Sequence, residues 1–371
     1  MKRRRKKRVR LKIGRIITLV ILLAIIIAFT INYKTLKIKY LSHTTKYNED
    51  TIAVLLEENL INKIKDSKYS ATLDEIINTD YYDSNNIDKY LKITYYNQED
   101  FIKNTKELID KGYNPDEINL INDNLKDESI KILLDNDYLK EITELLKINY
   151  FNEEKLNRYI KYLKDKKLDV ENTVTYVNIG LDNKYYTNVI KLDNQDSVDV
   201  IVNKYHVLSS DYVPKKLESV KYGSGTMRHD AKVAFDKMCD ASRKDNIYIS
   251  GGSGYRSYSY QKTLYNNYVA RDGFDEAETY SARPGYSEHQ TGLAMDIVNG
   301  NGKFISASDK EYTWLIKNSY KYGFILRYPK GKETLTGYMY EEWHYRYLGE
   351  ELAKKVYDSG LTYDEYVARN Y

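Results

Sequence analysis

The chain has a single cysteine, Cys239, among 371 residues. One thiol can form no disulfide within the chain, and it excludes a zinc site built from cysteines. Cys239 lies in a stretch where Ala231, Ala234, Phe235 and Met238 follow helical spacing. No histidine stands near it in sequence, so it reads as a buried structural thiol and not a nucleophile. Glycine and proline are scarce in the first half: between Lys34 and Asn172 only Gly112 and Pro115 occur. A G-x-S-x-G nucleophile elbow is missing, which removes the usual setting for a serine hydrolase. Excess positive charge is confined to the start. The first 15 residues hold ten Lys/Arg and no acid, and the remainder holds 48 basic against 54 acidic residues. The body is therefore mildly acidic, and nothing in it favours nucleic acid.

After the basic start comes an apolar run, Ile16 to Ile31, interrupted only by Thr18 and Thr30. Sixteen helical residues span about 24 Å, a little short of a hydrocarbon core of about 30 Å. Arg15 can snorkel at one end, and Tyr33 with Lys34 can sit at the other interface. The run is long for the apolar part of a signal peptide, and no A-x-A-like cleavage site follows it. It reads as an uncleaved single-pass anchor with a cytoplasmic N-terminus, so that residues 1–34 form a basic tail and transmembrane helix.

Residues 35–172 read as a helical spacer. Asn97 opens a segment whose Phe101, Ile102, Thr105, Leu108 and Ile109 share one face, and Gly112 closes it. Asn114-Pro-Asp-Glu117 combines a cap, a first-turn proline and first-turn acids. Thr72-Leu-Asp-Glu75 and Asn152-Glu-Glu154 mark further starts. Tyr-Leu-Lys recurs at 90, 138 and 162, which hints at a helical repeat array. No catalytic grouping occurs here. The region suits a stalk, or a surface for a protein partner or the cell wall.

From Thr173 onward the pattern turns to strands: Val174 and Tyr176, then Val198, Val200 and Val202, alternate with polar residues. The helix holding Cys239 follows, then a predicted strand Asn246–Ser250, a glycine-rich turn Gly251–Gly254, and a helix from Tyr258. Helices mixed with short strands and no βαβ rhythm predict an α+β domain over 173–371.

The chemistry gathers in Ser287-Glu-His-Gln-Thr-Gly-Leu-Ala-Met-Asp296 and Glu341-Glu-Trp-His344. Two imidazoles and a carboxylate are the protein ligands of a catalytic zinc site with one position left open. On a strand through Leu293–Val298, Ala294, Asp296 and Val298 share one face. Gly292 permits a tight turn that folds His289 back towards Asp296. His344 brings the third ligand from a distant strand-like run. Glu341, three residues before it, is placed to work as general base, in preference to Glu342. Arg256 is the candidate cation for a developing oxyanion. His43, His206 and His229 read as ordinary satisfied histidines. The Gly251–Gly254 run lacks the Gly-Lys-Ser/Thr of a phosphate loop.

The pattern Ser287-x-His289-x-x-Gly292-x-Ala294-x-Asp296, then Glu341-x-Trp343-His344, resembles the signature of the VanY-type zinc D-alanyl-D-alanine carboxypeptidases of the LAS metallopeptidase group. Val202-Asn-Lys204, Asp211-Tyr-Val-Pro214, Gly254-Tyr-Arg-Ser-Tyr258, Gln261 and Trp343-His-Tyr-Arg-Tyr-Leu-Gly349 resemble successive blocks of that domain in order, across about 200–358. One departure is visible, Glu342 where many members have proline. The resemblance implies a compact domain with a small, mostly antiparallel sheet and one Zn2+ per chain, held by His289, Asp296 and His344. It implies Glu341 as general base and Arg256 as transition-state stabiliser. Gln261 and Ser287 would help hold the D-Ala-D-Ala end of a peptidoglycan stem peptide. The expected protein is a membrane-anchored, extracytoplasmic D,D-carboxypeptidase. The alternatives are the same chemistry on another bond (a D,D-dipeptidase or L-alanyl-D-glutamate endopeptidase), a wall-binding scaffold protein, or a serine hydrolase built on Ser287 and His289.

Overall fold

A computed structural model describes residues 2–371, with side chains from residue 13 onward. The basic side chains of the first 12 positions lie outside the described residues. The chain divides into two compact units, 1–147 and 148–371.

The first unit is helical. It comprises α1 (Lys2–Thr45), α2 (Glu49–Glu57), α3 (Asn62–Lys65), α4 (Ala71–Ile76), α5 (Ile87–Tyr90), α6 (Phe101–Lys111), α7 (Pro115–Asn124), α8 (Asp127–Leu134) and α9 (Ile142–Leu145). Within α1 the stretch Ile13–Thr45 is long and apolar enough to cross a membrane, and a signal sequence near an N-terminus passes the same test. The helix runs on past residue 34, where the anchor was expected to end. Thr18, Thr30 and Thr35 turn their hydroxyls onto carbonyls one turn back, at Gly14, Ile26 and Ile31, which hides these polar groups within the helix.

The short helices that follow are tied to one another across regular sequence gaps. The hydroxyl of Tyr47 accepts from Ser70 N, that of Tyr113 accepts from Leu139 N, and Asn119 bridges Lys92 and Thr94. These links span 23 to 27 residues. The Tyr-Leu-Lys tripeptides occupy unlike places: Tyr90 is buried at the end of α5, whereas Tyr138 is exposed. Asn114 caps α7 as expected, and Glu117 reaches back to complete a capping box. Ser70, not Thr72, caps α4, and Asn97 does not cap α6.

The second unit begins with α10 (Leu156–Lys166) and α11 (Val170–Ile179). Here the strand expectation fails. Asp169 caps α11, Gly180 ends it in the left-handed region, and Val170, Thr173, Val174 and Val177 are buried at helical intervals. Their β-branched side chains suggested strand, but the period decides. Val198 to Val202 pairs with no strand either. The Arg346 guanidinium donates to the carbonyls of Val198 and Val200 and so replaces a ladder. Nearby, β1 (Ile190–Lys191) and β2 (His206–Val207) form a short parallel pair. A hairpin-like pair, β3 (Leu217–Ser219) and β4 (Thr226–Arg228), precedes α12 (His229–Lys244).

The main sheet has the order β5-β6-β8-β7, antiparallel throughout. Its strands are β5 (Ser250–Ser253), β6 (Ala294–Val298), β7 (Phe324–Leu326) and β8 (His344–Tyr347). Between and after them come α13 (Tyr258–Asp272), α14 (Phe274–Tyr280), α15 (Lys310–Asn318), α16 (Glu333–Thr336), α17 (Glu350–Ser359) and α18 (Tyr363–Asn370). One face of the sheet carries Leu293, Met295, Ile297 and Tyr345 into a core with Phe235, Met238 and Cys239 of α12. The opposite face carries Asp296 and His344. The strand expected at Asn246–Ser250 lies further on, in the glycine run itself. A Cβ on Gly254 would meet the Thr226 carbonyl at 2.2 Å, so the glycines there serve close backbone approach. The fold is α+β, with an apolar N-terminal helix, a helical region and a mixed domain built on a small antiparallel sheet.

Candidate metal centre and active site

His289 sits in a 3-10 turn, Glu288–Thr291, that ends at Gly292 with φ +68°. This turn reverses the chain directly into β6. Asp296 then lies opposite His344 in the register of β6 with β8. Side chains directly opposite on an antiparallel pair emerge on the same face. The three residues are buried, and their ligating atoms lie within 4.8 Å of one another. His289 Nε2 is 3.3 Å and His344 Nδ1 is 3.2 Å from Asp296 Oδ1.

Hydrogen bonding on the far side of each ring sets which nitrogen faces inward. His289 Nδ1 lies 2.7 Å from the Gly254 carbonyl, which can only accept, so the proton is on Nδ1 and the Nε2 lone pair points into the cluster. His344 Nε2 lies 3.4 Å from the Glu288 carboxylate, which leaves its Nδ1 facing Asp296. Asp296 Oδ1 is buried without a hydrogen-bond partner. Three ligand-type atoms therefore converge on one point, an arrangement suited to a cation. Two nitrogens and one carboxylate oxygen are the donor set of a catalytic zinc site.

The electrostatics agree. Burial and the nearby Arg256 push His289 down to about 4. Burial acts the same way on His344, but Asp296 and Glu288 outweigh it and raise the ring to about 9. The negative field that draws a proton to His344 draws a dication equally. Asp296 resists the effect of burial and stays well below the carboxylate range because His289, His344 and Arg256 surround it. Glu341 behaves oppositely. Burial, reinforced by Asp296 and Glu288 against the pull of His344 and Arg256, raises it to about 7. Its Oε2 is 3.6 Å from His344 Nδ1, beside the cluster.

A cleft of about 500 Å³ opens onto this cluster and is lined by Arg256, Gln261, Ser287, Tyr328, Glu341 and Trp343 among others. Glu342 does not line it. Arg256 Nη2 reaches Asp296 Oδ2 at 2.5 Å and His289 Nε2 at 2.8 Å. Gln261 is buried behind it: its Oε1 accepts from Arg256 Nη1 at 3.4 Å and its Nε2 donates to the Ala282 carbonyl. The structure thus brings His289, Asp296, His344, Glu341, Arg256, Gln261 and Ser287 together. His206 and His229 lie elsewhere, bonded to Asn203 and Glu218.

Glu288 was missed by sequence reasoning. It is fully buried, and its charge persists because Arg327 and Arg346 overcome the cost of burial. The available signal was two arginines within otherwise buried strand sequences, Leu326-Arg-Tyr328 and Tyr345-Arg-Tyr347. A buried guanidinium requires a buried anion, and Glu288 is that anion.

Residues 224–350 match the family described as VanY, D-alanyl-D-alanine carboxypeptidase. The chain is 40% identical over 207 residues to the putative carboxypeptidase YodJ of Bacillus subtilis, covering 50% of this chain and 75% of that protein. It is 39% identical over 186 residues to a D-alanyl-D-alanine carboxypeptidase of Enterococcus faecalis, covering 47% and 67%. Among solved structures, the LdcB LD-carboxypeptidase aligns with a TM-score of 0.47 at 38% identity, over 50% of this chain and 92% of that one. The chain covers 75% and 67% of the two curated relatives, and the family match over 224–350 includes every residue that lines the cleft, so the chain is a peptide hydrolase and belongs to the VanY-type D-alanyl-D-alanine carboxypeptidase family.

Proposed function

We propose that this protein is a membrane-anchored, extracytoplasmic zinc D,D-carboxypeptidase that removes the terminal D-Ala from peptidoglycan stem pentapeptides. The observation that carries this reading is the convergence of His289 Nε2, Asp296 Oδ1 and His344 Nδ1, with Glu341 alongside. These three residues would hold one Zn2+, which when bound supplies Lewis-acid activation of water and of the scissile carbonyl.

The chain's own groups do the rest. Glu341, raised to about 7, is a carboxylate basic enough to take a proton from the attacking water and acidic enough to return it to the leaving amine. Arg256 lies at the cleft wall, where its guanidinium can face the oxygen on which negative charge develops. Gln261 holds that guanidinium from behind, and Ser287 lines the wall beside the terminal residue of the substrate. Burial of the cluster keeps bulk water away and strengthens these interactions. The apolar stretch Ile16–Ile31 of α1 and the ten Lys/Arg ahead of it support an anchor with a cytoplasmic N-terminus and a cleft on the wall side.

The test is mass spectrometry of synthetic pentapeptide, tetrapeptide and free D-Ala-D-Ala incubated with the protein, with and without a chelator. Loss of one D-Ala from the pentapeptide, abolished by chelation and restored by zinc, is the expected result. Trimming of the tetrapeptide alone would move the reaction to an L,D bond, and cleavage of free D-Ala-D-Ala alone would make it a dipeptidase. Turnover that survives chelation would remove the metal from the reading.

A further inference from the structure

Glu288 and His289 are consecutive residues on one 3-10 turn, and each serves a different imidazole. His289 points into the cluster, while Glu288 Oε2 accepts from Nε2 of His344 at 3.4 Å. The other oxygen of Glu288 accepts from Arg327 Nε at 2.8 Å and Arg346 Nη1 at 2.9 Å. Arg327 continues the chain of charges outward, with Nη1 2.5 Å and Nη2 3.3 Å from the Asp364 carboxylate. Asp364 also accepts from Asn203 Nδ2 at 2.8 Å. It belongs to the first turn of α18, which the Thr362–Glu365 capping box holds in place. Side-chain exposure along this series is 0% for Glu288, Arg327 and Arg346 and 1% for Asp364.

Four charges kept wholly out of water contribute little to stability compared with apolar packing of the same volume. What this series does accomplish is to hold a carboxylate against the outer nitrogen of one imidazole. A carboxylate there selects the ring tautomer, fixes its orientation and increases the basicity of the inner nitrogen.

We propose that Glu288 is a positioning residue for the metal centre, and that α18 takes part in it by holding Glu288 through Asp364 and Arg327. This inference rests on His344 being a metal ligand. The C-terminal helix, which touches neither cleft nor cluster, thereby acts on metal retention.

The experiment measures zinc affinity by chelator competition in the full-length protein, together with the thermal stability of the chelator-treated form. Glu288→Gln keeps the shape and an acceptor but loses the charge, and should bind zinc about tenfold to a hundredfold more weakly. Asp364→Asn should weaken binding in the same direction and by less. Asp240→Asn, which breaks the exposed pair between Lys221 and Asp240 of α12, should leave zinc affinity unchanged whatever it does to stability. Nitrogen NMR of the zinc-loaded wild type should show the His344 proton on Nε2, a result independent of any variant's folding. Zinc affinity unchanged in Glu288→Gln and Asp364→Asn, or metal on Nε2 of His344, would overturn the inference while leaving the zinc reading intact. A wild type that binds no zinc would instead remove the reading beneath it.

Discussion

Replacing Glu341 with glutamine should make the metal-free protein more stable and the enzyme nearly inactive. The Glu341 carboxyl moves from an ordinary 4.5 to about 7 because it is buried beside Asp296 and Glu288. Between these two values the folded chain binds a proton that the unfolded chain has released, so stability falls as pH rises from about 4.5 to about 7. Above pH 7 the native state carries the full cost of a charge it disfavours, at most about 3 kcal/mol at 1.36 kcal/mol per pH unit. Glutamine cannot ionise and escapes that cost. Part of the gain is offset, because Glu341 is among the groups that favour the charged form of His344. Urea unfolding of chelator-treated wild type and Glu341→Gln should therefore diverge by up to about 3 kcal/mol at pH 8 and converge near pH 4.5. Turnover of the zinc-loaded variant should drop about 10²- to 10⁴-fold, with metal content retained. An equal stability difference at both pH values, or a less stable variant at pH 8, would refute the placement of a strained charge at this position. Wild-type turnover would remove Glu341 from the chemistry.

His289→Ala and Asp296→Ala should each lose stoichiometric zinc by elemental analysis, and full occupancy in either would contradict the ligand set. Arg256→Ala should lower kcat more than it raises KM, by up to about 4 kcal/mol in the barrier, whereas an unchanged kcat would make the guanidinium a structural partner of Asp296. Gly254→Ala forces a methyl to within 2.2 Å of the Thr226 carbonyl and displaces the carbonyl that orients His289. It should lose about 1 to 3 kcal/mol in thermal unfolding and bind zinc less tightly. A fragment of residues 148–371 should be soluble and active on free peptide, whereas a cut at 172/173 should yield an unstable one. That cut removes α10 and splits α11, whose Glu171 pairs with Arg369 at 2.5 Å and whose Asn178 donates to the Ala368 carbonyl. Equal activity and solubility of the two fragments would show α10 and α11 to be dispensable.

The cluster of His289, Asp296 and His344 was legible in the sequence because its chemistry is local in kind. Histidine and aspartate are rare as buried residues, strand parity says which face Asp296 shares with Ala294, and a glycine after a histidine announces a turn. The core helix with Cys239 was legible for the same reason, since its apolar period is unambiguous. Glu288 was not, because its buried charge depends on Arg327 and Arg346, which lie far away in the chain and reach it only after the sheet has formed. Residues 173–179 were misread because Val and Thr favour strands individually, while the positions that are buried recur every three or four residues. The glycine run at 251–254 looked like a turn because absent side chains suggest flexibility. In the folded chain it is a strand stripped of side chains so that another backbone can lie against it. Val198 to Val202 alternates like a strand, yet its carbonyls are satisfied by a guanidinium, which no periodicity can reveal.

The pairing of Asp296 with His344 across β6 and β8 means that their separation owes nothing to the segment that joins them. That segment carries α15, adds β7 to the far side of β8 and continues through α16, and it can lengthen or shorten at its exposed bends without moving either side chain. New substrate contacts can thus be gained by rebuilding the connector while the reactive core is inherited intact. For protein engineers the exposed bend around Asn301 is accordingly the place to graft new sequence, and the two-stranded seam is the place to leave alone.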